Sequence, residues 1–282
     1  MNLTVFHRAP ATFVRSVELN VLDLTAMTTF YREIIGLEIL DKKDGRVELA
    51  AGGKTPLLVL RTSETVHPKH PRRTGLYHFA LLLPSRADLG TAVRHLSRHG
   101  IPIGAADHLV SEAVYLEDPE GNGIEIYRDL PPDQWKWDGA EVRMATEPLD
   151  LPAVLAAADA KWEGMPPDTV MGHIHLHVSD LEEARRFYGD GLGFKVVSHY
   201  PQALFMSDSG YHHHIGLNTW NGKGVLPQGP DSAGLAAFTV VFPNDTTRSA
   251  AAGRLRSLGW EPSGAGDRMT VSDPSGNRIL LA

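Results

Sequence analysis

The sequence predicts an α+β protein built from four βαβββ modules that close in pairs into two cup-shaped barrels. Three observations predict it: a fourfold internal repeat, alternating hydrophobicity at the head of each repeat, and an Asp-Pro-x-Gly-Asn turn near the end of two of them. At 282 residues the chain is long enough for about two domains, each able to bury its own core.

Positions 16–37 read SVELNVLDLTAMTTFYREIIGL and 173–193 read HIHLHVSDLEEARRFYGDGLG, and in both a Phe-Tyr pair begins seven residues after an Asp. A second pair runs from His78 to Gly100 and from Ala237 to Gly259. Within each repeat the first strand follows from period-two alternation, as in Val17-Glu18-Leu19-Asn20-Val21. A helix comes next, because Asp23, Ser85, Asp180 and Asn244 are each a side chain that accepts from the first free amides of a helix. Gly100 and Gly259 suit the left-handed position that ends two of these helices. The turns Asp118 to Asn122 and Asp273 to Asn277 then lead into the last strand. Prolines at 131, 132, 148, 152, 166 and 167 mark a linker over residues 131–169 that holds one short helix around Pro152 to Trp162. Modules one and two thus occupy 1–130, and modules three and four occupy 170–282.

Composition removes several function classes. With 27 Lys+Arg against 34 Asp+Glu, the net charge of −7 offers no excess of cations to neutralise phosphates, so nucleic acid is not an expected partner. The longest apolar runs, such as Gly234 to Phe242, are about half of the roughly 20 residues a membrane-spanning helix requires. Met1 to Pro10 lacks the pattern of a secretory signal, and a soluble cytoplasmic protein is expected. The absence of cysteine excludes disulfides, zinc ribbons, iron–sulfur clusters and thiol nucleophiles. Fourteen histidines remain as the ligand and acid–base inventory.

The helix caps supply a register for comparing the modules. Seven residues before them stand Ser16, His78, His173 and Ala237, so two of four equivalent seats are histidine. Three residues after the Asn of the polar turn stand Glu125 in module two and Leu280 in module four. His78, His173 and Glu125 would form a 2-His-1-carboxylate set, the usual holder of non-haem Fe(II) with open positions for substrate and dioxygen. Taken singly, each histidine reads more readily as a half-buried strand residue hydrogen-bonded to its neighbours. It is the shared seat that favours a metal.

The segment His108-Leu-Val-Ser-Glu-Ala-Val-Tyr115-Leu-Glu-Asp118-Pro119-Glu-Gly121-Asn-Gly-Ile-Glu125 resembles the signature of the extradiol ring-cleaving dioxygenases of the catechol 2,3-dioxygenase type, within the vicinal oxygen chelate superfamily. Only Ala106, two residues before His108, departs from that pattern. Gly172-His173 resembles the first iron ligand of that group, and His213-His214-Ile215-Gly216-Leu217 resembles the strand that carries its acid–base histidine. The resemblance covers nearly the whole chain and implies the glyoxalase-like fold. It also implies a reaction, cleavage of catechol by O2 to 2-hydroxymuconate semialdehyde, and an Fe(II) cofactor with Mn(II) as the alternative. On this reading the partners are a small aromatic diol and O2, in a homo-oligomer. His213 is the implied general acid–base, with His212 and His214 one register slip away. Tyr115 is the implied partner of a substrate hydroxyl, and His108 its neighbour. His175 and His177 share a face with His173 by alternation, while His7, His67, His70, His95, His99 and His199 read as solvated.

One departure from the family predicts the architecture. In the usual extradiol arrangement modules three and four close the catalytic barrel and supply every ligand. Here module four has Ala237, Thr270 and Leu280 where the second histidine, the tyrosine and the glutamate would stand. Because a metal needs all its ligands in one cup, module two is expected to pair with module three, and module one with module four. Exchange between subunits is the alternative. Two other functions fit the same fold: a glyoxalase-type metal isomerase or lyase, and a metal-free protein that sequesters a small aromatic or antibiotic.

Overall fold

All four helix caps form as their side chains dictate. Asp23 accepts from the amides of Thr25 and Ala26, Ser85 from Asp88, Asp180 from Glu182 and Glu183, and Asn244 from Thr247 in a closed capping box. Gly100 and Gly259 take φ of 65° and 94°, the left-handed conformation that ends the helices capped by Ser85 and Asn244.

The computed structural model describes residues 3–282. Module one supplies β1 (Phe13–Asn20), α1 (Leu24–Glu33), β2 (Glu38–Lys43), β3 (Arg46–Ala50) and β4 (Leu58–Arg61). Module two supplies β5 (Gly75–Leu82), α2 (Arg86–Arg98), β6 (Gly104–Asp107), β7 (Ser111–Glu117) and β8 (Gly123–Asp129). The linker forms a two-stranded ribbon, β9 (Trp137–Asp138) with β10 (Glu141–Val142), before α3 (Leu151–Ala156). The ribbon was not expected, and α3 stops short of the expected Trp162. Module three has β11 (Val170–His177), α4 (Leu181–Arg185), β12 (Lys195–Tyr200), β13 (Ala203–Ser207) and β14 (Ile215–Asn218). Its helix passes after Arg185 into a π-helical turn, Arg186–Leu192, that ends on Gly193.

Module four is shorter: β15 (Gly234–Val241), α5 (Asp245–Ser257), β16 (Met269–Ser272) and β17 (Arg278–Leu281). Where β6 stands in module two, module four keeps a single bridge between Ser263 and Thr270. Pro262 cannot donate to a ladder, and Gly264 and Gly266 take φ of 85° and 59°, so no strand propagates there.

Two sheets result. One has the order β16-β17-β15-β1-β4-β3-β2 and joins module four to module one; the other runs β12-β13-β14-β11-β5-β8-β7-β6 and joins module three to module two within one chain. The antiparallel contact of β11 with β5 is the seam of the second barrel, and that of β1 with β15 is the seam of the first. A single apolar core that includes Leu19, Phe79, Phe187 and Phe238 serves both barrels.

Sequence neighbours are tied by a different device. The Tyr31 hydroxyl of α1 donates to Asp118 in the polar turn of module two at 2.7 Å, and Tyr188 donates to Asp273 in the turn of module four at 2.9 Å. Both pairs are buried, which makes the hydrogen bond obligatory and the Tyr of each Phe-Tyr pair structural. Among the described residues, no helix is long and apolar enough to cross a membrane.

Candidate metal centre

Residues opposite one another on neighbouring strands present side chains to the same face. In the barrel of modules two and three, the inner one because its strands lie between those of the outer barrel in sequence, His175 lies opposite His78, His173 opposite Ala80, Ala80 opposite Glu125, and Glu125 opposite Tyr115. One face of four adjacent strands therefore carries His173, His175, His78, Glu125 and Tyr115. The ten-residue spacing from Tyr115 to Glu125 is that of two directly paired residues in the β7–β8 hairpin.

His78, Glu125 and His173 are buried and each offers a ligand atom within 4.8 Å of the others. Glu125 Oε2 lies 3.0 Å from His173 Nε2 and 3.1 Å from His78 Nε2. The second contact is outside hydrogen-bond geometry, which leaves His78 Nε2 buried without a partner. An unpartnered imidazole nitrogen beside a carboxylate is costly in a metal-free core and apt in a metal site. Burial holds the His78 pKa below its usual value, only partly offset by Glu125. For Glu125, burial acts upward, but His173 and His78 outweigh it and hold the carboxyl well below the usual range. A neutral His78 imidazole and an ionised Glu125 carboxylate are charge states that suit a divalent metal.

Two glycines make room for this arrangement. A Cβ on Gly172 would fall 1.8 Å from the Tyr127 hydroxyl, and one on Gly216 would fall 2.8 Å from His175 Cγ. Glycine before His173 thus answers to the packing of Tyr127, not to backbone conformation.

The donors open on a cavity of about 310 Å³ whose wall includes His108, Tyr115, His175, His213, Phe205 and Trp220. Burial, reinforced by the Glu125 charge, pushes the Tyr115 phenol well above its usual pKa and keeps it protonated. His108 Nδ1 lies 2.7 Å from the Ala145 carbonyl, which only accepts, so His108 Nε2 is the unprotonated nitrogen that receives the Tyr115 hydroxyl at 2.6 Å. His175 Nε2 accepts from Asn218 Nδ2 at 3.0 Å, and its pKa is held well below the usual value by burial.

The three consecutive histidines lie in the loop before β14, not inside the strand as the sequence suggested. Their side chains go three ways. His212 is buried against Asp129 at 2.7 Å, and His214 reaches the Phe6 carbonyl at 2.9 Å. His213 faces the cavity with its ring 4.0 Å from that of His173. Burial and the neighbouring His173 push the His213 pKa well below its usual value.

Other expectations need correction. His177 pairs with Asn218 and opens on a separate cleft. His7 and His95 are buried, not solvated; His95 stacks on Trp162 at 4.6 Å and bonds the Ile34 carbonyl. His67, His70, His99 and His199 are exposed as expected. Sequence reasoning passed over Asp129 and weighed His212 only as an alternative to His213. Asp129 stands four residues after Glu125 on the same strand, so alternation alone puts it on the face of Glu125.

Comparison with known proteins identifies the family. The model of the Glyoxalase/Bleomycin resistance protein/Dioxygenase superfamily matches residues 14–126 and 170–281. A catechol-2,3-dioxygenase of Bacillus subtilis (strain 168) is 44% identical over 269 residues, covering 93% of this chain and 94% of that protein. A biphenyl-2,3-diol 1,2-dioxygenase of Rhodococcus globerulus is 26% identical over 41% of this chain and 63% of its own length. Glyoxalase I from Zea mays shares the fold, with a TM-score of 0.57 at 18% identity over 96% of this chain and 92% of its own. The chain belongs to the Glyoxalase/Bleomycin resistance protein/Dioxygenase superfamily, and a catechol-2,3-dioxygenase is among its full-length relatives.

Proposed function

We propose that the protein is an extradiol dioxygenase that cleaves a neutral catechol beside its diol, with Fe(II) rather than Mn(II) held by His78, His173 and Glu125. The observation that carries this reading is the cavity in which His78 Nε2, buried and unpartnered, faces Glu125 and His173 between Tyr115 and His213. Fe(II), when bound, would supply the template and Lewis acid that bring the diol and dioxygen together.

The chain's own groups manage the protons. The diol must lose protons to chelate, and Tyr115 Oη can accept one because its own hydrogen is directed at His108 Nε2 at 2.6 Å. The proton then leaves through His108, whose Nδ1 stays bonded to the Ala145 carbonyl. His213, across the cavity beside His173, would exchange the second proton as the ring opens. Phe205 and Trp220 would hold the aromatic ring and keep water from it. No lysine or arginine is among the described wall residues, which favours an uncharged ring substituent.

A thiol-hemiacetal isomerase would need a fourth protein donor. Of the further imidazoles beside the donors, His175 already has its Nε2 bonded to Asn218, and His213 has its Nδ1 against His212 Nδ1. The test is anaerobic loading with Fe(II), addition of catechol and admission of air. A yellow semialdehyde with one O2 consumed per catechol is expected. Isomerisation of a thiol hemiacetal without oxygen uptake, or tight aromatic binding with no metal, would overturn the reading.

A further inference from the structure

We propose that Asp129 and His212 are positioning residues that fix His213 in the tautomer with an unprotonated Nε2 toward the cavity. The proposal rests on the reading of His213 as the acid–base group and explains how it starts as a base. Asp129 Oδ1 lies 2.7 Å from His212 Nε2, and a carboxylate oxygen can only accept, so the His212 hydrogen sits on Nε2. With one hydrogen on each ring, His212 then has a lone pair on Nδ1, which lies 2.8 Å from His213 Nδ1. One hydrogen must lie between those nitrogens, and only His213 can provide it. His213 is thus protonated on Nδ1, and its Nε2 carries the lone pair.

The surroundings leave this relay no slack. The side chains of Asp129 and His212 are both 0% exposed. The His212 ring is fixed between Tyr211 at 4.1 Å and Trp135 at 5.1 Å. The Tyr211 hydroxyl makes a longer bond of 3.3 Å to Asp129 Oδ1, and Asp129 Oδ2 has no partner at all. A buried carboxylate with one oxygen unpaired costs stability, so its presence calls for a role other than packing.

The Asp129→Asn variant preserves shape but lets the amide donate to His212 Nε2, which reverses each link and places the His213 hydrogen on Nε2. Expected is a loss of kcat of about 100-fold or more with KM for catechol and bound iron unchanged. His212→Asn, which keeps an acceptor near the Nδ1 position, should retain about tenfold more kcat than His212→Leu. A readout independent of turnover is ¹⁵N NMR of the full chain with labelled histidine before iron is added. His213 should be Nδ1-protonated in the parent and Nε2-protonated in Asp129→Asn. An unchanged tautomer, an unchanged kcat, or loss of iron together with kcat in Asp129→Asn overturns the relay. His213→Ala separates the two ideas: if it keeps kcat, the acid–base reading fails as well; if it loses kcat while Asp129→Asn does not, only the relay fails.

Discussion

The two barrels share a backbone register and differ in chemistry. In the inner barrel His173 faces Ala80, which faces Glu125, which faces Tyr115; in the outer barrel Ser16 faces Thr239, which faces Leu280, which faces Thr270. His175 faces His78 as Glu18 faces Ala237. Ser16 and Thr239 satisfy each other at 3.1 Å, whereas His78 Nε2 is left without a partner. Residues 13–61 and 234–281 contain no histidine at all, so every imidazole lies in the inner barrel, the linkers or the N-terminal segment. The fold therefore fixes where a ligand set can stand, and the side chains alone decide whether one does.

The sharpest break of this contrast is to remove equivalent residues from each cup. Glu125→Gln should lower iron occupancy and reduce kcat/KM by more than about 100-fold, since losing even an outer support of a ligand costs about 10–100-fold. Leu280→Gln, its counterpart, should leave iron content and turnover unchanged. Equal losses from the two would mean that the barrels are not chemically distinct.

Acid should act on the inner barrel first. Burial holds His214 at a pKa of about 4 against 6.5 in an unfolded chain. Between those values the unfolded state binds more protons, so the stability His214 contributes is complete above about pH 6.5 and falls as pH drops toward 4. The slope is about 1.4 kcal/mol per pH unit for such an imidazole, or about 3 kcal/mol across the window. Urea titrations of the metal-free protein from pH 7.5 to 4.5 measure this, and a flat profile would contradict it.

Packing gives a smaller contrast. Gly172→Ala drives a methyl group into Tyr127 and should cost about 1–3 kcal/mol, lowering the urea midpoint. Arg15→Ala, at the outer counterpart of Gly172, should cost less than about 1 kcal/mol. A similarly small effect is expected at the α5 cap, which is exposed and remote from the cavity. Asn244→Ala should cost about 1 kcal/mol and a few degrees of Tm by calorimetry, with iron content unaffected.

Much of this was legible in the sequence because strands and caps obey fixed periods. The caps gave a common origin, and counting from them brought His78, His173 and Glu125 together and predicted which modules pair. The triple histidine was less legible because it lies in a loop, where alternation no longer assigns faces. Asp129 was readable from parity with Glu125, but a carboxylate at a strand end looks like a solvated one until the loop covering it is known. The linker ribbon and the burial of His7 and His95 depend on contacts between distant segments, and no local pattern announces them.

The pairing of modules has a consequence for the order in which the chain assembles. The sheet bearing the metal donors is nested inside the other, like inner parentheses: its strands span 75–218 without needing either end of the chain, whereas β1 must find β15 across more than 200 residues. Loop closure grows costlier with separation, by about 0.6 kcal/mol per doubling, and non-local pairings form late. The nested order predicts that β5, β8 and β11 gain protection before β1 and β15 in pulse-labelled hydrogen exchange during refolding. The outer barrel is then a clasp, closed last around a cup already complete.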